Sequence, residues 1–271
     1  MALIPPFYLD CVVAIGRWGS DSDKQWNGTG FLVGRPYKPT PEASGNYHVF
    51  MVTNKHMLVD RESVIVRFNP QGDESARDYE IPLLDSENNL VWTGHPDNEV
   101  DVAVLQINPN ILEKDKVRFS YFAADKHMLT LKTMAKLGVS EGDFIYVLGF
   151  PMGIVAADRQ YAVARSGTIA RFRDTVEGRS VDFLVDVSIF PGNSGGPVIT
   201  KPETISIDGT KCVDQSALIG MITSYVPYKD VAVSQRTQRL RVVFEENSGL
   251  AAAVPSNFII DAIDICLATK A

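Results

Sequence analysis

Ser194 lies in the run "FPGNSGGPVI" (residues 190–199), boxed in by glycines between two apolar stretches. A serine hydroxyl attacks a carbonyl only when a nearby base removes its proton and a third group orients that base. The local pattern Gly192-x-Ser194-x-Gly196 fits a turn between strands, a nucleophile on a strand-to-helix elbow, or a nucleophile in another setting. Chain order separates these. The four histidines, His48, His56, His95 and His127, all precede Ser194, whereas the elbow arrangement places its histidine after the serine. The order that remains is histidine, acid, serine.

His56 in "FMVTNKHMLVD" follows an apolar strand, at a loop where a base can face a cleft. Asp101 in "NEVDVAVLQI" heads an almost wholly apolar strand, where a carboxylate needs a hydrogen-bond partner and an imidazole N–H would supply one. Asp97 is the rival acid. Asp101 is preferred because its strand fixes it, whereas "GHPDNE" reads as a loop. His95 and His127 are expected to face solvent, and Met152 and Gly153 to belong to a loop without a chemical role.

These residues must be held by strands. Short runs rich in Val, Ile, Tyr and Phe recur at Cys11–Arg17, Thr29–Val33, His48–Thr53, Ser63–Phe68 and Val102–Ile107. A second set occupies Phe144–Leu148, Gly167–Phe172, Phe183–Val187, Pro197–Thr200, Leu218–Ser224 and Ala251–Val254. A polar connector, Asn108–Glu141, separates the two sets, and Gly34–Gly45 and Pro202–Gln215 read as surface loops. One helix is expected after Ser256 as N-cap, with Ile259, Ile263, Cys266 and Leu267 on one face.

Composition narrows the function classes. The net charge of −7 argues against a nucleic-acid footprint. No apolar run reaches the length of a membrane span, and the N-terminus has no secretory pattern. Three scattered cysteines, Cys11, Cys212 and Cys266, read as free thiols. The expectation is a soluble cytoplasmic protein that binds no nucleic acid, membrane, cofactor or metal.

Eight fragments occur in order: "GTGFLV", "VTNKHML", "DVAVLQI", "GDFIYVLGFPMG", "SGTIARF", "PGNSGGPVI", "LIGMITSY" and "GLAAAVPSNFIIDAI". Through them the chain resembles the trypsin-like serine peptidases, in their HtrA/Deg-like bacterial branch. The resemblance implies an all-β fold of two six-stranded β-barrels with a C-terminal α-helix. The whole of 1–271 would be one peptidase domain, with barrels at about 8–115 and 140–254 and the helix at about 256–268. It assigns His56, Asp101 and Ser194 as a catalytic triad, and the N–H groups of Gly192 and Ser194 as the oxyanion hole.

The resemblance also implies a substrate pocket built from Ser188, Ile189, Thr223, Ser224 and Tyr225. With no acid at that pocket floor, small or medium uncharged side chains are expected before the cleaved bond. The implied partner is a protein or peptide substrate, and a regulator or homo-oligomer is compatible with the branch. Asn193 stands where relatives activated by N-terminal cleavage carry Asp, so no such activation is expected. Met57 replaces a cysteine found in disulfide-bearing relatives, and no PDZ domain is expected. The alternative function is a catalytically silent module that binds peptides or a partner protein.

Overall fold

A computed structural model describes residues 3–20, 23–37, 46–203 and 213–269. Cys212 and the greater part of the two expected surface loops, 38–45 and 204–212, lie outside the described residues. A short helix α1 (Pro6–Leu9) leads into β1 (Val12–Trp18), β2 (Lys24–Pro36) and β3 (Tyr47–Thr53). After a 3₁₀ turn at Lys55–Met57 follow β4 (Ser63–Pro70), β5 (Arg77–Pro82), β6 (Thr93–Gly94) and β7 (Ala103–Ile107). The connector contains α2 (Pro109–Lys114), β8 (Val117–Arg118), β9 (Phe122–Ala123) and α3 (Leu131–Leu137). The second module comprises β10 (Phe144–Gly149), β11 (Val163–Arg171), α4 (Arg173–Val176), β12 (Phe183–Asp186) and β13 (Pro197–Thr200). It continues through β14 (Leu218–Val233) and β15 (Leu240–Pro255) to the terminal helix α5 (Ser256–Thr269).

The second module is a closed six-strand barrel, ordered β10-β11-β12-β15-β14-β13. The first is a nine-stranded sheet whose main path runs β5-β4-β1-β2-β3-β7-β6, with β8 on β4 and β9 on β2. It curls around its own core, leaving β5 and β6 as the ends of the path. This is the double-barrel architecture, with a less completely closed first barrel.

Strand alternation explains how two modules share one interior. In β1 and β2, Val13, Ile15 and Leu32 point into the first module's core. Their neighbours Val12, Ala14, Phe31 and Val33 point the other way, into a second core between the modules. There they meet Leu148, Ile199, Met221 and Val254 from the second barrel. A third core, with Ile145, Val185, Val198 and Ile219, fills the closed barrel.

Helix α5 seals the shared core with Ile259, Ala262, Ile263 and Cys266, all fully buried, while Leu267 is only partly so. Ser256 is the first helical residue rather than a cap; its buried hydroxyl donates to the Leu129 carbonyl. Strands β14 and β15 run well past the expected Ser224 and Ala251, forming an exposed ribbon over Pro227–Val233 and Leu240–Asn247. Gly34–Pro36 continue β2 instead of opening a loop.

Because α5 is clamped over the shared core, Ile263→Ala is expected to cost about 2–5 kcal/mol of unfolding free energy. Urea denaturation followed by circular dichroism measures it, and a loss under about 1 kcal/mol would contradict a sealed core at that position.

Candidate active site

Strand β3 ends at Thr53, and the fully buried Asn54 begins the 3₁₀ turn that presents His56. Asp101 stands at the head of β7. The Asn54 Nδ2 donates to the Asp101 carbonyl at 2.8 Å and locks the two loops together. His56 Nδ1 lies 2.6 Å from Asp101 Oδ2, and the His56 backbone N–H donates to Oδ1 at 3.2 Å. The carboxylate thus grips both the ring and the backbone of the histidine. A carboxylate can only accept, so Nδ1 carries the proton and Nε2 is left as the basic nitrogen.

Desolvation pushes the Asp101 carboxyl up. The His56 ring and the backbone N–H groups of His56 and Lys55 outweigh it and hold the carboxyl below its ordinary value. Ionised Asp101 can therefore fix the tautomer across the neutral range.

Ser194, His56 and Asp101 line one cleft of about 490 Å³, together with Ile189, Thr223, Ser224 and Tyr225. Ser188 is not part of the lining. Strand alternation carries past β12, so Val187 and Ile189 turn inward and Ser188 turns to solvent. Four further residues on the cleft wall, Glu99, Asp182, Phe190 and Pro191, carried no recognisable signal in sequence.

The serine loop is tied down on every side. Within it, Asn193 is fully buried and its Oδ1 accepts from the Phe190 N–H at 3.2 Å. The N–H of Gly195 donates to the Ile222 carbonyl, and the N–H of Ile222 to the Gly196 carbonyl, each at 2.9 Å, joining the loop to β14. Thr29 reaches over from the first module. Its N–H donates to the Ser194 carbonyl at 2.9 Å, and its hydroxyl donates to the Gly192 carbonyl at 2.6 Å. That same hydroxyl accepts from the Phe150 N–H at 3.1 Å.

Gly192 has φ +99°, and a Cβ there would stand 2.3 Å from the Phe150 carbonyl oxygen. Only glycine meets both conditions. The Pro191 carbonyl is held by the Met152 N–H at 2.5 Å. In a trans peptide the C=O and the following N–H point in opposite directions, so the Gly192 N–H points away from Met152. Neither the Gly192 nor the Ser194 N–H donates to any described residue. Two unspent donors beside a hydroxyl can receive an anion.

Asp182 is the unexpected titrating group. Desolvation, and secondarily the charge of Asp101, raise its pKa to about 6. Its Oδ1 is buried without a partner among the described residues. His95 and His127 do not simply face solvent. His95 packs edge-on against Phe258 of α5, and His127 packs against Phe7 and Tyr8 while its Nδ1 accepts from the Ala123 N–H. Desolvation lowers the pKa of both rings. Among the described residues no cluster of three or more His, Cys, Asp or Glu could hold a metal ion, and no helix is long and apolar enough to cross a membrane.

Residues 28–204 match a family model described as a trypsin-like peptidase domain, a span that contains His56, Asp101 and Ser194. Curated relatives are named as probable periplasmic serine endoproteases, DegP-like. One from Pseudomonas putida is 25% identical over 191 residues, covering 70% of this chain and 32% of the relative. One from Pseudomonas savastanoi pv. phaseolicola is 24% identical over 225 residues, covering 82% and 36%. One from Hahella chejuensis is 24% identical over 237 residues, covering 87% and 40%. The chain thus spans about a third of the length of the relatives it matches. Their names place them in the periplasm, which lends no support to the expected cytoplasmic setting.

Asp182 yields a stability prediction with a definite sign. Its folded pKa lies above the ordinary value of 3.8, so folding favours the protonated form, and ionisation costs stability as pH rises through about 6. Asp182→Asn is expected to melt on the order of 2–4 °C above the parent at pH 8, with the two curves converging below about pH 4. Equal melting temperatures at pH 8 would show that Asp182 is solvated.

Proposed function

Because the chain belongs to the trypsin-like peptidase domain family, we propose that it is a serine endopeptidase cutting protein or peptide substrates, with His56, Asp101 and Ser194 as its triad. Nε2 of His56 takes the Ser194 proton while Oγ adds to the scissile carbonyl. The oxyanion forms opposite the N–H groups of Gly192 and Ser194, neither of which is spent on another acceptor among the described residues. His56 then gives its proton to the departing amine, leaving an acyl-enzyme. Water activated by the same nitrogen hydrolyses the ester and restores Ser194. Every step uses a side chain or backbone N–H of this chain.

The observation that carries this reading is the 2.6 Å contact of His56 with Asp101, in the same cleft as Ser194. The grip supplies an oriented base, and the serine loop supplies two free donors. Asn193 spends its side-chain oxygen on the loop's own Phe190 N–H, which supports a loop formed without a newly cleaved N-terminus. For the position before the cleaved bond, Ile189, Thr223, Ser224 and Tyr225 favour a small or medium uncharged side chain.

Labelling with a fluorophosphonate probe tests the chemistry. The folded protein is expected to label, and Ser194→Ala to lose the label entirely. Asp101→Asn should retain the fold and lower kcat roughly 10³–10⁴-fold through the wrong histidine tautomer. A folded parent that never labels, with or without protein substrates present, would favour a silent peptide-binding module. A fluorogenic peptide library tests the pocket: preferred cleavage after Lys or Arg would overturn the assignment.

A further inference from the structure

The segment from Phe150 to Gln160, between β10 and β11, crosses from the second module to the first and is anchored there along its length. Arg67 on β4, nearly buried, stacks over Trp26 with its guanidinium carbon 4.6 Å from the ring centre. It pairs with both oxygens of Asp78 at 2.6 and 2.8 Å. Its remaining terminal nitrogen donates to the carbonyls of Ala156 and Ala157, at 2.9 and 3.3 Å. At the far end, the Gln160 side chain bridges β1 and β4, accepting from the Ala14 N–H at 3.0 Å and donating to the Arg67 carbonyl at 2.6 Å.

The near end of this strap touches the serine loop. Met152 is held at φ +55°, a strained conformation for a non-glycine residue, and its N–H is the donor that holds the Pro191 carbonyl. Gly153 lies so close to β2 that a Cβ would stand 2.4 Å from the Trp26 carbonyl oxygen. Trp26 therefore contacts the strap on its backbone and Arg67 on its ring.

We infer that Arg67 is a positioning residue: from the first module it seats the strap, and through Met152 it sets the orientation of the Pro191–Gly192 peptide. This rests on the reading of Gly192 as an oxyanion donor. A bidentate pair with Asp78 aims the guanidinium, and the two carbonyl contacts carry that aim to the strap. The strain at Met152 persists only while the strap is fixed on both sides. Loss of the Arg67 anchor lets Met152 relax and frees the Pro191 carbonyl, so the Gly192 N–H no longer holds one direction. The pocket residues Ile189, Thr223, Ser224 and Tyr225 take no part in this contact, so kcat and KM separate.

The test uses Arg67→Gln and Asp78→Asn in the full chain, with hydrogen exchange and kinetics measured side by side. In Arg67→Gln, peptides covering 150–161 and 189–195 are both expected to exchange about tenfold faster, with α5 unchanged. Asp78→Asn is expected to show the same pattern to a smaller degree, since it loosens the aim of Arg67 without removing its donors. In the active enzyme kcat falls about tenfold to a hundredfold, less than the roughly 10²–10³-fold loss on removing an oxyanion donor outright, while KM stays within about threefold. Affinity for a peptide boronate, whose tetrahedral oxygen occupies the hole, falls in step with kcat. Faster exchange at 150–161 with 189–195 unchanged overturns the inference, as does a rise in KM without a fall in kcat. A parent that fails to label with fluorophosphonate refutes the peptidase reading alone; the exchange measurement then decides the coupling by itself.

Discussion

Strands β1 and β2 are buried on both faces, and the position of the cleft follows from that double burial. One face of each fills the first module's core and the other packs against the second barrel, so the modules cannot slide without exposing Phe31, Phe50, Leu148 or Met221. Burying apolar surface of this kind contributes about 1.5–3 kcal/mol per large side chain. The loops leaving β3 and β12 and the loop entering β7 are thereby fixed relative to one another. A base from the first module and a hydroxyl from the second can meet only across a seam held this firmly.

Polar contacts refine what the apolar seam places. Thr29, fully buried on β2, is the junction: its hydroxyl serves Gly192 and Phe150, its N–H serves Ser194, and its carbonyl receives the Thr53 hydroxyl at 2.9 Å. Thr53 ends the strand that leads to His56. One residue, through its hydroxyl and its backbone, therefore joins the strand before the histidine, the serine loop and the start of the 150–160 strap. Buried groups so fully satisfied gain from the low local dielectric, and each would be costly to leave unpaired.

Much of this was legible in the sequence, and the failures have physical causes. Strands with a buried face announced themselves through Val and Ile; Pro197–Thr200 was bounded exactly as read, and others shifted by a residue or more. Strand β5, "RDYEIP", was missed because its side chains are partly or fully exposed and its polarity hides the alternation. The outer halves of β14 and β15 carry Val231, Val233, Val242, Val243 and Phe244 exposed on a ribbon, beyond the buried runs that marked these strands. That His56, Asp101 and Ser194 line one cleft was foreshadowed by chain order and flanking residues. Ser188 was misplaced because spacing from the serine says nothing of which way a strand residue faces. Thr29 and Met152 act through a side chain and a backbone N–H that meet the serine loop only in three dimensions. Asp182 was invisible because its strain comes from what surrounds it.

The contrast between Asp101 and Asp182 shows how one cleft treats two carboxyls differently. Desolvation raises both. Asp101 receives the His56 ring, the His56 N–H and the Lys55 N–H, and ends below its ordinary value; Asp182 receives none of these and ends near 6. Donor supply, not depth, decides which acid carries charge at moderately acid pH. In the proposed reaction that charge sits behind His56, where an imidazolium forms and needs it, and the neighbouring acid yields its proton last. The raised pKa of Asp182 is partly a consequence of ionised Asp101, so the two are one electrostatic arrangement within a single cleft.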